Sequence, residues 1–248
     1  MILELDIGNT RLKWRHKSSA GEEIIAEGIC KGIEEFCAGQ LKEQPSLFRF
    51  CSVRDQSITE DLLTWSQTHW TLTPQVANVS RECAGVRINY QDVSRLGVDR
   101  WLAMLEAYRR ASGPCAIIDS GTAFTLDVIA RDGLHRGGFI LPGLSMMQNS
   151  LTANTRIRLS KEAKAESTEL GNSTDEAVLN GSLASLVALI EKQIVELAKD
   201  SADFKLYFSG GDAALLAEMI NFDKFQIVTG LVLDGLALAC PQFADDKK

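Results

Sequence analysis

No block of basic residues occurs in the 248-residue chain, whose Lys+Arg 26 against Asp+Glu 33 leave a net charge of −7. Such an acidic chain is a poor binder of nucleic acid or membrane surfaces. An anionic ligand must then be held by local backbone amides or a metal. The six cysteines (Cys30, Cys37, Cys51, Cys83, Cys115 and Cys240) form no CxxC pair and no Cys/His cluster, which argues against zinc or a disulfide framework. They read as free, buried thiols in a reducing cytoplasm. His16, His69 and His135 lack mutual spacing or carboxylate partners, so none is a candidate ligand or catalyst. The opening MILELDIGN carries two acids and no basic n-region, unlike a signal peptide. The uncharged run Asn180 to Ile190 of the second half is far too short to cross a bilayer. Walker A and GxGxxG loops are also absent. The expectation is a soluble cytoplasmic protein.

What is present is ordinary globular material, 45% hydrophobic and 24% charged. The length suits one large α/β domain or two of about 120 residues. Pattern and punctuation predict strands at 2–6, 11–15, 24–27, 47–53 and 70–73, with helices at 33–41, 58–67 and 98–110. Trp101, Leu102, Leu105 and Tyr108 form one stripe of the last helix. Gly113–Pro114 marks a boundary, giving halves 1–112 and 113–248. The second half predicts strands at 115–119, 124–129, 135–141, 205–209 and 225–228. Its helices fall at 144–151, 175–199, 213–220 and 231–239, with a mobile loop at 155–173. The uncharged run Ser182–Ile190 reads as core or oligomer interface, with interface favoured. With the short helix at 144–151 set aside, each half runs three strands, helix, strand, helix, strand, helix. Each also opens alike, ILELDIGNT at 2–10 and AIIDSGTAF at 116–124. Shared order and shared opening indicate an internal duplication with a cleft between the halves.

In Asp6-Ile-Gly-Asn-Thr10 the glycine permits a tight turn and close approach of backbone N–H groups. Asn9 and Thr10 add donors, and Asp6 adds a carboxylate suited to a water-rich Mg²⁺ shell. One such turn alone reads better as a hairpin with an Asx bond. The second copy, Asp119-Ser-Gly-Thr122, turns the pair into a bipartite phosphate clamp. In Gly97-Val-Asp-Arg100, Asp99 reads first as a helix N-cap. Beside a phosphate clamp, the Asp–Arg couple offers instead a base for an alcohol and a cation for a carboxylate. Gly137-Gly-Phe-Ile-Leu-Pro-Gly143 fits either a strand end close to ligand or a packed crossover. Ser209-Gly-Gly211 fits equally a bare turn and an amide cradle for phosphate or adenosine.

DIGNTRLKW at 6–14, GVDR at 97–100, IDSGTAFTLDVI at 118–129, GGFILPG at 137–143 and GNSTDEAVLNG at 171–181 resemble the type III pantothenate kinases. That family belongs to the acetate-kinase, sugar-kinase, heat-shock-chaperone and actin superfamily. The resemblance runs in order along nearly the whole chain. It implies a duplicated actin-like (ribonuclease H-like) α/β fold and ATP-dependent phosphorylation of pantothenate to 4'-phosphopantothenate, the first step of coenzyme A synthesis.

The resemblance also implies site roles. The first phosphate motif falls on Asp6, Ile7, Gly8, Asn9, Thr10, Arg11, Leu12 and Lys13, with Asp6 near Mg²⁺ through water. Asp99 is the implied general base. Tyr90, Gly97, Val98 and Arg100 contact pantothenate, and Thr174 reaches it from the neighbouring subunit of a homodimer. Asp119 binds a monovalent cation, K⁺ or NH₄⁺, and Thr122 contacts ATP. Phe124 and Ser209 stand where the family commonly has Thr, a departure that bears on adenosine binding. Two alternatives accompany this reading. One is a nucleotide-binding regulatory protein, a transcriptional accessory factor without turnover. The other is a kinase or phosphatase of the superfamily acting on another small molecule.

Overall fold

The structure, a computed structural model, describes residues 1–20, 23–40, 44–160, 162 and 164–241. It contains two five-stranded sheets of the same design. The first comprises β1 (Ile2–Ile7), β2 (Leu12–Lys17), β3 (Ile24–Cys30), β4 (Leu47–Ser52) and β5 (Gln75–Val76) in the order β3-β2-β1-β4-β5. A small hairpin, β6 (Glu82–Cys83) and β7 (Val86–Arg87), follows it. The second comprises β8 (Cys115–Ser120), β9 (Ala123–Ile129), β10 (His135–Pro142), β11 (Lys205–Ser209) and β12 (Phe225–Ile227) in the order β10-β9-β8-β11-β12. In each sheet the first three strands pair antiparallel, and the last two join parallel to the first. The helices are α1 (Ile33–Gln40), α2 (Gln56–Trp70), α3 (Val98–Ala111), α4 (Leu144–Asn154), α5 (Thr174–Asp200), α6 (Ala213–Met219) and α7 (Leu231–Ala239). The predicted duplication is present in the sheets, with the β6–β7 hairpin added to the first half and a second helix between β10 and β11 added to the other.

Contacts gather Met1–Glu106 and the stretch from Gly230 into one unit, and Ala107–Thr229 into another. Gly113–Pro114 does separate α3 from β8, yet this division falls within α3. The chain's last helix returns to the first unit because α7 packs on β1 and β4. A Cβ at Gly235 would lie 2.2 Å from the Leu102 carbonyl oxygen, so only glycine lets α7 approach α3 so closely.

The first unit's core joins Leu3, Leu5, Ile7, Leu12, Phe48 and Phe50 from the sheet to Phe36 of α1 and Leu62 of α2. The second packs Ile118, Phe124, Leu126 and Phe208 against Leu183, Leu186, Val187 and Ile190 of α5. Each large apolar side chain so buried contributes about 1.5–3 kcal/mol before entropy is counted. One face of Ser182–Ile190 is therefore core. Its other face shows Gly181, Ser185 and Ala188 to solvent. By length and composition the 27-residue α5 could cross a membrane, at a mean hydropathy of 1.3 over its most apolar window. Its apolar stripe is spent on the protein core.

Several predicted elements need correction. Residues 70–73 are not a strand. α2 runs on to Trp70, which is buried against Phe48 and Trp65, and Thr71 caps it with φ 51°. β5 begins only at Gln75. Trp101 to Ala107 are all buried, so α3 is enclosed beyond a single stripe. His135, expected to lack a carboxylate partner, pairs with buried Asp127 at 2.9 Å. Eight residues apart, the two meet because β9 and β10 fold back on each other. The described residues of 155–173 carry no helix or strand.

Candidate functional site

Parallel strands release their chains at one edge of each sheet, and ligands of open α/β sheets collect there. Both acidic glycine turns lie at such an edge. In the first unit β1 ends at Ile7, and Gly8 N–H donates to the Arg11 carbonyl at 3.0 Å to turn into β2. β4 leaves beside it: Val53 N–H donates to the Ile7 carbonyl at 3.1 Å, and Arg54 Nε to the Gly8 carbonyl at 2.7 Å.

Parallel pairing sets Asp6 opposite Cys51. The buried Cys51 thiol donates to Asp6 Oδ1 at 3.6 Å. Burial pushes this thiol well above its ordinary range, and the Asp6 and Asp99 carboxylates push it further. Asp6 and Asp99, 93 positions apart in the numbering, thus share one neighbourhood. Asp99 is not the N-cap that its position suggested. It is the second residue of α3, and its Oδ1 accepts the Arg100 N–H at 2.8 Å. The helix start falls at Gly97, whose carbonyl accepts the Trp101 N–H at 3.0 Å. A Cβ at Gly97 would sit 2.6 Å from Asp99 Oδ1, so the glycine makes room for the carboxylate.

Arg100 is 8% exposed and donates through Nη1 to the Tyr90 hydroxyl at 3.4 Å. Two residues singled out for the acceptor substrate are therefore in contact. The Tyr90 segment is held by Arg81, which sequence reasoning missed. Its Nη1 donates to the Tyr90 carbonyl at 3.1 Å and its Nη2 to the Gln91 carbonyl at 3.2 Å. No motif marks Arg81; only the β6–β7 hairpin brings it near.

In the second unit two loops converge on Asp119–Thr122. Gly143 N–H donates to the Thr122 carbonyl at 3.0 Å, and Asp212 N–H to the Ser120 carbonyl at 3.1 Å. A Cβ at Gly143 would meet the Gly121 carbonyl oxygen at 2.1 Å, and one at Gly210 (φ +91°) the Ser120 carbonyl oxygen at 2.1 Å. The undecided GGFILPG motif thus ends in a packing glycine, and its Gly137 (φ +118°) sits at an irregularity in the β9–β10 pairing. Of the two readings of Ser209-Gly-Gly211, the structure displays the turn. Gly210 makes a tight turn, while Gly121 and Gly211 face open space. Asp212 accepts the Ser120 hydroxyl at 3.2 Å. Burial raises its carboxyl above the ordinary value, and the Ser120 bond partly offsets this. Thr174 opens α5 behind a Ser173 cap, whose hydroxyl accepts the Glu176 N–H at 3.2 Å.

Metal fit can be judged from the donors. Among the described residues no three His, Cys, Asp or Glu side chains gather as a metal cage. A single carboxylate such as Asp6 suits a Mg²⁺ ion that keeps waters and substrate phosphates as its other ligands. Asp119 Oδ1 and the Ser120 carbonyl, both within 3 Å of the Gly210 Cβ direction, are oxygen donors of the kind hard cations take.

Known proteins resemble this chain in sequence and in fold. The family model described as type III pantothenate kinase matches residues 2–196. A type III pantothenate kinase from Ectopseudomonas mendocina (strain ymp) is 40% identical over 97% of this chain and 99% of its own length. Among solved structures, a candidate Baf family transcriptional activator from Campylobacter jejuni superposes with TM-score 0.63 at 23% identity, covering 94% of each chain. MreB5 of Spiroplasma citri, bound to ADP, gives 0.50 at 11% identity over 94% of each. The structural likenesses establish an actin-like fold. With acidic glycine turns at corresponding strand ends and 40% identity along the full length, the chain belongs to the type III pantothenate kinase family, enzymes of ATP-dependent pantothenate phosphorylation in coenzyme A biosynthesis.

Proposed function

We propose that Asp99 is the general base of this phosphorylation, taking the proton of the pantothenate hydroxyl. The observation that carries the assignment is the shared neighbourhood of Asp6 and Asp99 about Cys51, with the Arg100–Tyr90 contact on the same helix start. The Arg100 guanidinium is suited to the pantothenate carboxylate, and Tyr90, Gly97 and Val98 complete that contact. Phosphoryl transfer is largely positioning and charge neutralisation. The segment Asp6–Lys13 receives the nucleotide phosphates, and Thr122 contacts ATP. A divalent cation accompanies ATP in kinase reactions, and Mg²⁺ at Asp6, with K⁺ or NH₄⁺ at Asp119, supplies the neutralising charge. Asp99 lies in the first turn of α3, where backbone N–H groups favour negative charge. A loose transition state asks little of its base.

We further infer a cytoplasmic homodimer in which Thr174 reaches the partner's site. Its contact face is the exposed side of α5 (Gly181, Ser185, Ala188) with Met146 and Leu151 of α4. α4 lies against α5, with Met147 Sδ 4.0 Å from the Ser185 hydroxyl.

The test is an ADP-release assay with pantothenate, sugars, acetate and polyphosphate offered in turn. Pantothenate alone should support turnover, and Asp99→Ala should abolish it while leaving the oligomer intact. Full activity in Asp99→Ala would remove the base assignment. No turnover with pantothenate would favour the regulatory reading.

A further inference from the structure

The cavity of about 460 Å³ in the first unit lies at the carboxyl ends of β4 and β5 and the start of α3. Ser52, Arg54, Asn78, Ser94, Arg95 and Gly97 are among its lining residues. Two are arginines, and no Asp or Glu is among the described residues that line it. In a chain of net charge −7 this is a local reversal of sign. Two carboxylates flanking the lining segments in the chain accept hydrogen bonds of their own: Asp92 from Ser94 N–H and hydroxyl at 3.0 and 2.6 Å, and Asp99 from Arg100 N–H at 2.8 Å.

Arg54 is steered rather than loose. Its own N–H donates to the Ser52 hydroxyl oxygen at 3.2 Å, and its Nε to the Gly8 carbonyl at 2.7 Å. The second bond ties the guanidinium to the first glycine turn and occupies one of its five N–H donors. The four Nη hydrogens keep the fork geometry that matches a phosphate. Sequence reasoning passed over Arg54 because it sits in no glycine motif. It comes to the turn only because β4 pairs parallel to β1.

We propose that this cavity is an anion site for a phosphate group, with Arg54 as its principal ligand and Arg95 at its rim. The inference rests on the kinase reading above and deepens it, since Gly97 and Val98 border both the cavity and the proposed acceptor site. Two phosphates have the right chemistry, one on the nucleotide and one on the phosphorylated product.

Calorimetric titration of the full chain with inorganic phosphate, a non-hydrolysable ATP analogue and 4'-phosphopantothenate tests it. The proteins compared are wild type, Arg54→Lys, Arg54→Gln and Arg95→Gln. Loss of a charge-assisted contact predicts that Arg54→Gln weakens phosphate binding roughly 10- to 100-fold. Arg54→Lys should fall between, because an ammonium keeps the charge and loses the fork, and it serves as the folded control if the Gln variant is unstable. A loss confined to the ATP analogue places the nucleotide phosphate in the cavity. A loss confined to 4'-phosphopantothenate places the product there, and either supports the site. Unchanged phosphate affinity in folded Arg54→Gln and Arg54→Lys overturns it. A separate assay of pantothenate turnover keeps the two claims apart. An active enzyme with Arg54-independent phosphate binding loses the site and keeps the kinase reading. An enzyme inactive on pantothenate but with Arg54-dependent phosphate binding does the reverse.

Discussion

Cys51 is fully buried against the Asp6 carboxylate, and that placement decides its chemistry. Thiolate is the reactive form of cysteine. Burial holds Cys51 well above its ordinary range, and burial pushes Cys115 up to about 12. Half-buried Cys37 and Cys83 should therefore react first with iodoacetamide at pH 8, while Cys51 and Cys115 label only on unfolding. Mass-spectrometric mapping over time checks the order, and labelling of Cys51 at the rate of Cys83 would contradict its burial. Asp212 offers a pH test. Its folded carboxyl titrates above the ordinary Asp value of 3.8, so the folded chain binds the proton more tightly than the unfolded one. Stability then falls as pH rises through the window from 3.8 to the folded value. Asp212→Asn should flatten that fall, giving a higher Tm than wild type at pH 7 and none of the advantage below pH 3.8. An equal gap at both pH values would exclude titration as its cause. Asp6, Asp99 and Asp119 were legible as residues because each sits in a motif whose chemistry is local. Cys51, Arg54, Arg81 and Asp212 were not, since each acquires its partner through strand register or a hairpin.

At the scale of elements, β1 carries a second buried acid whose role its own segment does not reveal. Glu4 is fully buried and paired with both Arg15 of β2 and Arg49 of β4. Arg15 extends to Asp234 of α7 at 2.6 Å, and Arg49 to the Cys240 carbonyl at 2.8 Å. One carboxylate thus binds three strands to the last helix. Removing one member of such a buried network strands the others without compensation, at a cost of about 3–5 kcal/mol. Glu4→Gln should lower unfolding free energy by that amount in urea titration, whereas a cost under about 1 kcal/mol would mean the arginines find other partners. Long elements were legible because periodicity accumulates along them: α3, α5 and the two sets of three antiparallel strands fall within a few residues of expectation. β5, β6 and β7 have two residues each, too few for any period to register. Trp70 misled because aromatic residues favour strands, while its contacts with Phe48 and Trp65 hold it in a helix.

For the whole molecule, duplication was legible from repeated order and repeated turn, but the return of α7 to the first unit was not. Chain order carries no trace of the Gly235–Leu102 approach or of the Arg15–Asp234 pair. The proposed dimer makes a concrete claim at this scale. Ala188→Arg places a charge on the small-residue face of α5 and should shift the light-scattering mass towards one chain, raising the KM for pantothenate as Thr174 is withdrawn. A dimer that survives this change with unaltered KM would move the interface elsewhere. The net charge of −7 makes the remaining claim. An acidic chain that gathers a nucleotide triphosphate and a carboxylate has few cations of its own to spend, since Arg15 and Arg49 are committed to Glu4. Bound ions must then carry much of the neutralisation. Replacing K⁺ and NH₄⁺ by tetramethylammonium at constant ionic strength, so that screening is unchanged, should lower turnover at least roughly ten-fold, about 1.4 kcal/mol in the barrier. Asp119→Asn should show low turnover in both media and little response to the exchange. A wild-type enzyme indifferent to the exchange would show that Asp119 holds no monovalent ion, and that the divalent cation, glycine turns and arginines neutralise the phosphates without one.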